Sequence, residues 1–170
     1  MKREILTYPH PVLAEKAKPV AEITDEVRRL AEDMAETMYA DKGVGLAAPQ
    51  VGESVCLIVV DVTDDDGAYQ GLMTLVNPEI VSREGEVESE EGCLSVPSAR
   101  YTVRRAERVT VRGTDLDGKE VAVEADELLA ICLQHEIDHL DGKIILDYQS
   151  RLKRALYDKK VKKWEKTRKN

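Results

Sequence analysis

Two histidines and a glutamate, His135, Glu136 and His139, stand in HExxH spacing. On a helix turning 100° per residue the imidazoles lie about 40° apart and Glu136 about 60° from His139, so the three side chains share one sector. Such a sector can hold one metal ion, with a carboxylate beside it to take a proton from an activated water. Two surface histidines on an amphipathic helix are the plain alternative, but the flanking LLAICL and IL are apolar and point to a buried helix. A tetrahedral catalytic site wants a third protein ligand and one open position. Downstream of His139 the nearby acids are Asp141, Asp147, Asp158 and Glu165, and none has a spacing on a helix that returns it to the pair. Upstream, Cys93 sits in Glu90-Glu91-Gly92-Cys93-Leu94-Ser95-Val96-Pro97, flanked by glycine and ahead of a proline-containing stretch, which is not the setting of a core filler. Its thiolate would complete a Cys-His-His set.

These groups need elements to carry them. Asp126 is placed to cap the helix that bears the HExxH, and Gly142 is a natural residue just past its end. Thr24 can cap an earlier helix, with Val27, Leu30, Ala31, Met34 and Met38 at helical spacing up to about Tyr39. Ser150 can cap a last one carrying Leu152, Ala155, Leu156, Val161 and Trp164 among many lysines. Between them, Cys56–Val62 reads as a buried strand followed by a turn at Asp64–Gly67. Leu72–Val76, Glu79–Ser82, Arg108–Arg112 and Glu120–Val123 read as further strands, the last two joined by a hairpin through Asp117-Gly118. Pro9, Pro11 and Pro19 make the first twenty residues an irregular arm, with His10 as a turn residue. The expected fold class is α+β: small mixed or antiparallel sheets around a central HExxH helix, with an N-terminal and a C-terminal helix.

With 170 residues, 42% hydrophobic and 34% charged, the chain suits one globular domain spanning 1–170. No apolar run approaches the roughly 20 residues of a membrane helix, and MKREILTYPHPVL shows no secretory signal, so a cytoplasmic location is expected. Cys56, Cys93 and Cys132 are odd in number and far apart, against a disulfide framework. Cys56 reads as core. The net charge of −8 conceals a basic tail: residues 151–170 carry ten Lys or Arg against Asp158 and Glu165. An acidic body is a poor general DNA binder, whereas a basic tail can seek an anionic partner.

Three segments carry a resemblance. Gly43-Val44-Gly45-Leu46-Ala47-Ala48-Pro49-Gln50, then Glu91-Gly92-Cys93-Leu94-Ser95, then Gln134-His135-Glu136-Ile137-Asp138-His139-Leu140-Asp141-Gly142 are similar, in order and spacing, to the three signature motifs of peptide deformylase. TYPHPVL and the segment 124–147 are also similar, so the likeness spans nearly the whole chain. The resemblance implies that Cys93, His135 and His139 ligate a divalent metal, typically Fe²⁺, with Zn²⁺, Ni²⁺ or Co²⁺ able to substitute. It implies that Glu136 is the general acid/base, with the Gln50 side-chain amide and the Leu94 backbone N–H at the oxyanion. The substrates would be N-formylmethionyl peptides and the product formate.

For substrate binding, Leu128, Ile131 and Cys132 lie seven, four and three residues before His135 and would wall an apolar pocket for methionine. For Cys132, plain core packing is the alternative. Gly43, Val44 and Gly45 would offer backbone to the peptide as an added strand, and Arg100 would face it. Glu91 and Arg105 would form a buried pair beside the cysteine loop, although either can equally be a solvated charge. Asp138 would support the site from behind or lie on the helix surface. For the tail, a solvated helix face competes with docking on ribosomal RNA phosphates through Lys159, Lys160, Lys162 and Lys163. A general HExxH metallopeptidase would instead place its third ligand downstream. A structural metal site would close with four protein ligands, where three and a base are counted here.

Overall fold

Thr24 opens the first helix, α1 (Asp25–Ala40), its hydroxyl accepting from Val27 N at 3.3 Å. Asp25 and Glu26 fill the first turn, where the helix dipole favours acids. Seven strands follow: β1 (Gly45–Ala47), β2 (Leu57–Val60), β3 (Met73–Glu84), β4 (Val87–Cys93), β5 (Val96–Arg105), β6 (Arg108–Thr114) and β7 (Glu120–Asp126). Helices α2 (Glu127–Leu140) and α3 (Arg151–Arg168) complete the order. The computed structural model describes residues 1–63 and 71–168, and the turn expected at Asp64–Gly67 lies outside them.

Strands β1-β2-β3-β6-β7 form one sheet in that order, and β4-β5 a separate two-stranded ribbon; every strand pair is antiparallel. In β2 all four side chains are buried, because both faces of the sheet are covered there. Leu57 and Val59 pack with Leu30, Met34 and Met38 of α1, while Ile58 and Val60 pack with Ala130, Leu133 and Ile137 of α2. Each such side chain contributes about 1.5–3 kcal/mol by leaving water, so β2 fixes α2 relative to α1. A third cluster joins Val96 and Val103 of β5 to Ile144, Ile145, Leu146 and to Tyr157 and Val161 of α3.

Several elements differ from the sequence reading. The two strands expected at 72–76 and 79–82 are one strand, β3, interrupted by register shifts beside Asn77, whose φ is 51°. β1, β4 and β5 were not foreseen. In the ribbon the inward positions include Glu91 and Arg105, both buried, so the apolar alternation that marks a strand is replaced by charges that neutralise each other. Asp126 precedes α2, but its side chain makes no capping bond; the chain passes from β7 into the helix through Glu127 at φ 48°. On α3 the buried stripe is Tyr157 and Val161, with Leu152 69% and Leu156 59% exposed and Ala155 also outside. Packing onto β5 selects that face. Cys56 is half-buried at the core's edge rather than within it. Gly142 follows α2 with φ +75°, where a Cβ would lie 2.6 Å from the Ala14 carbonyl oxygen. Among the described residues no helix is long and apolar enough to cross a membrane.

Candidate metal centre and substrate cavity

Helix α2 presents its core residues on one side and His135 and His139 on the other, one turn apart. Cys93 ends β4 and pairs with Val96 of β5, so Leu94 and Ser95 form a two-residue turn beside it. Tyr8 N donates to the Ser95 carbonyl at 2.8 Å and ties this turn to the N-terminal arm. The ligand atoms of Cys93, His135 and His139 all lie within 4.8 Å of one another. Cys93 Sγ is 3.5 Å from His139 Nε2. Thiolate and imidazole bonds of about 2.3 and 2.0–2.1 Å, set at the tetrahedral angle, require a separation of about 3.5 Å. That pair therefore spans two corners of a tetrahedral divalent site, with the His135 donor within reach of both.

Behind the ligands lies a charged scaffold. Glu91 Oε1 is 2.8 Å from His135 Nδ1, which turns His135 Nε2 toward Cys93 and fixes the ring. Arg105 clamps Glu91 through Nε to Oε2 at 2.9 Å and Nη2 to Oε1 at 2.7 Å. Its Nη1 donates to Asp138 Oδ2 at 2.5 Å, and the Tyr148 hydroxyl donates to the same oxygen at 2.6 Å. Asp138 thus supports the site through Arg105. Burial would raise the Glu91 pKa, but hydrogen bonds from Arg105 and His135 hold it down at about 2. Burial likewise opposes charge on Arg105, and its two carboxylates outweigh that and hold it above its ordinary value. Gln134 bridges Ala106 N at 2.8 Å and the Ala106 carbonyl at 2.9 Å, fastening α2 to the end of the ribbon.

Glu136 is 4% exposed, with Oε1 3.7 Å from His135 Nε2. Its Oε2 has no hydrogen-bond partner among the described residues. Burial pushes its carboxyl up to about 7, against the pull of His135 and Arg105. Gln50, in the turn after β1, is also buried. Its Oε1 accepts from Ala47 N at 2.9 Å, which leaves Nε2 to donate to Ser95 Oγ at 3.0 Å and to face Cys93 Sγ at 3.7 Å.

A cavity of about 480 Å³ opens over these groups. Gly43, Val44, Gly45, Gln50, Glu91, Cys93, Leu94, Arg100, Leu128, Ile131, Cys132, His135 and Glu136 all line it, whereas His139 and Arg105 stand behind. Leu128 is half exposed at the mouth and Cys132 is buried. Cys132 lines the cavity and packs in the core as well. Arg100 is on the rim, held by Glu90 through an ion pair of 3.6 Å and a bond to its carbonyl at 3.2 Å. Lys42, Ser89, Glu90 and Gly92 also line the cavity, a placement the sequence motifs do not by themselves assign. Ser89 shares a strand face with Glu91 by the two-residue period, and Lys42 adjoins Gly43; these were the available signals.

At Gly45 an added Cβ would lie 2.9 Å from Glu136 Cγ and 3.0 Å from its Cδ. Gly45→Ala is expected to displace the carboxylate and lower kcat/KM by at least about 10-fold, a 1 Å misplacement near the chemistry costing up to about 10². Metal content should be unchanged. Full activity in the alanine variant would show that Glu136 can move without consequence.

Similarity to known proteins extends over most of the chain. The family model described as Polypeptide deformylase matches residues 2–155. A peptide deformylase of Thermodesulfovibrio yellowstonii is 52% identical over 159 residues, covering 94% of this chain and 96% of that protein. One from Alkalilimnicola ehrlichii is 51% identical over 160 residues, covering 94% and 89%. The crystal structure of peptide deformylase from Ehrlichia chaffeensis in complex with actinonin superposes with a TM-score of 0.92 at 39% identity, covering 96% of this chain and 98% of that one. A deformylase-type Cys-His-His metal site, a buried glutamate beside it and half the residues shared with two deformylases over nearly their whole length lead to one conclusion: the chain belongs to the peptide deformylase family, hydrolases that remove the formyl group from N-formylmethionyl peptides.

Proposed function

We propose that deformylation in this chain is a hydrolysis with Glu136 as general acid/base, run on an Fe²⁺ ion held by Cys93, His135 and His139. The observation that carries this reading is the buried Glu136 carboxylate, one oxygen unpartnered among the described residues, beside three metal-ligand side chains. A divalent cation bound there supplies Lewis acidity, polarising a carbonyl oxygen and making water nucleophilic near neutral pH; Zn²⁺, Ni²⁺ or Co²⁺ can substitute. Glu136 takes a proton from the water as its oxygen bonds to the formyl carbon, then gives that proton to the methionine nitrogen as the C–N bond breaks. Formate and a free amine result. Gln50 Nε2 and the Leu94 N–H donate to the oxygen that gains charge. Glu91 and Arg105 hold His135 in place.

Leu128, Ile131 and Cys132 receive the methionine side chain. Strand β1 is an edge of its sheet, so Gly43, Val44 and Gly45 can pair with the peptide backbone, and Arg100 faces the peptide at the rim. The test is formate release from a formyl-Met tripeptide by protein loaded anaerobically with Fe²⁺. Chelation should abolish release, and Fe²⁺ should restore more of it than Zn²⁺. A fully metallated protein that releases no formate would overturn the mechanism.

We place the chain in the cytoplasm as one catalytic domain spanning residues 1–170, with its last helix on the ribosome. Lys159, Lys160, Lys162 and Lys163 of α3 are exposed, and phosphate contacts of this kind weaken steeply with salt. Replacing Lys159, Lys162 and Lys163 by Glu should abolish salt-sensitive co-sedimentation with ribosomes. Unchanged sedimentation would leave α3 as a solvated helix.

A further inference from the structure

We infer that Lys42 sets a charge preference in the substrate, favouring N-formylmethionyl peptides with Asp or Glu among the first residues after methionine. This rests on the reading that the cavity receives the peptide. Lys42 lines that cavity and is exposed, and no carboxylate lies within salt-bridge distance of its ammonium among the described residues. Arg100, which also lines the cavity, pairs with Glu90 at 3.6 Å, and Asp41, next to Lys42, pairs with Lys2 at 3.1 Å. Lys42 is therefore the rim cation left to meet a charge on the substrate.

The backbone singles out the same position. After α1 the chain turns through Lys42 at φ 58°, with Gly43 N donating to the Met38 carbonyl at 2.9 Å. Helix ends of this shape favour glycine or asparagine, yet lysine stands here. Strain of that kind at a cavity wall is an observation from which function can be inferred. A favourable contact with the helix dipole would explain a cation near this helix end but predicts nothing about substrates. Placement along the peptide follows from the glycines. A Cβ on Gly45 would meet Glu136 and one on Gly43 would meet Leu94, so the chain leads outward from the reacting end to Lys42. At about 3.3 Å per extended residue, its ammonium reaches side chains two to four positions into the peptide.

The experiment uses the metal-loaded full chain and formyl-Met tetrapeptides carrying a single Asp, Asn or Lys at the second, third or fourth position. At the best position kcat/KM for Asp should exceed that for Lys by about 3- to 10-fold, the range expected of one exposed attraction set against one exposed repulsion. Lys42→Asn, which tolerates the left-handed backbone, should bring the ratio to about 1, and Lys42→Glu should invert it. Salt at about 0.5 M should compress it. A ratio unchanged in both variants would overturn the inference, and a changed melting temperature alone would assign Lys42 to the helix end only. Absence of formate even from the Asn peptides would instead overturn the deformylation reading, and this inference with it.

Discussion

In the metal-loaded protein, Glu136→Ala is expected to lower kcat/KM by about 10²–10⁴ with no loss of bound metal, the usual range for removing a positioned acid/base. The geometry separates the two proposed functions: Cys93, His135 and His139 make the metal-ligand set, while Glu136 lies beside them with one oxygen unpartnered among the described residues. Glu136→Gln, which keeps the shape and removes the base, should lose as much. Burial raises the carboxyl to about 7, and a bound cation, as a further positive neighbour, lowers it. Because the ionised form must accept the first proton, kcat/KM should rise with pH through an acid limb at or below about 7. A variant retaining more than about a tenth of wild-type activity at full metal content would remove Glu136 from the proton transfers.

The second large effect concerns stability. Arg105→Leu should destabilise the protein by about 3–5 kcal/mol, because it strands two carboxylates that were neutralised together. Arg105 is 5% and Glu91 7% exposed, so water cannot replace the lost guanidinium. Glu91 titrates at about 2 in the folded chain against an ordinary 4.5. With the folded value depressed, its contribution to stability is complete above 4.5 and disappears as pH falls through about 2. In the variant, burial without Arg105 raises Glu91, so its penalty is relieved as pH falls toward about 4.5, and below about 4.5 the gap to wild type narrows further as wild type loses its own contribution. Metal affinity should fall as well, by about 10–100-fold, since Glu91 orients His135. Urea unfolding of both proteins at pH 7 and at pH 4 measures the difference. A gap under 1 kcal/mol at pH 7, or one that widens in acid, would show that Arg105 does not hold the pair.

The helices were legible because their signals are local. Thr24 with an acidic first turn marks α1, the apolar run before His135 marks α2, and Ser150 marks α3, its Oγ accepting from Lys153 N at 3.2 Å. Strands with apolar alternation, such as β6 and β7, were legible for the same reason. The β4-β5 ribbon was not, because its inward face carries Glu91 and Arg105, whose fitness for burial depends on a partner fourteen residues away. The outer position of Leu152 and Leu156 was not legible either; Tyr157 stacks edge-on against Tyr101 of β5 at 6.5 Å and hydrogen-bonds the Pro97 carbonyl at 3.0 Å. Those contacts choose the buried stripe.

Residue types and spacing alone determined the α+β class, the HExxH donors and the candidacy of Cys93, since helical periodicity and ligand chemistry act over a few residues. Only the tertiary structure decided that Cys93 Sγ and His139 Nε2 stand 3.5 Å apart, that Glu136 is buried beside them, and that Lys42 joins the cavity wall. The Cys93–His139 distance joins segments 46 residues apart and is set by the fastening of the β4-β5 ribbon to α2 through Arg105–Asp138 and Ala106–Gln134, while β2 sets α2 against α1. No pattern within one segment encodes that packing.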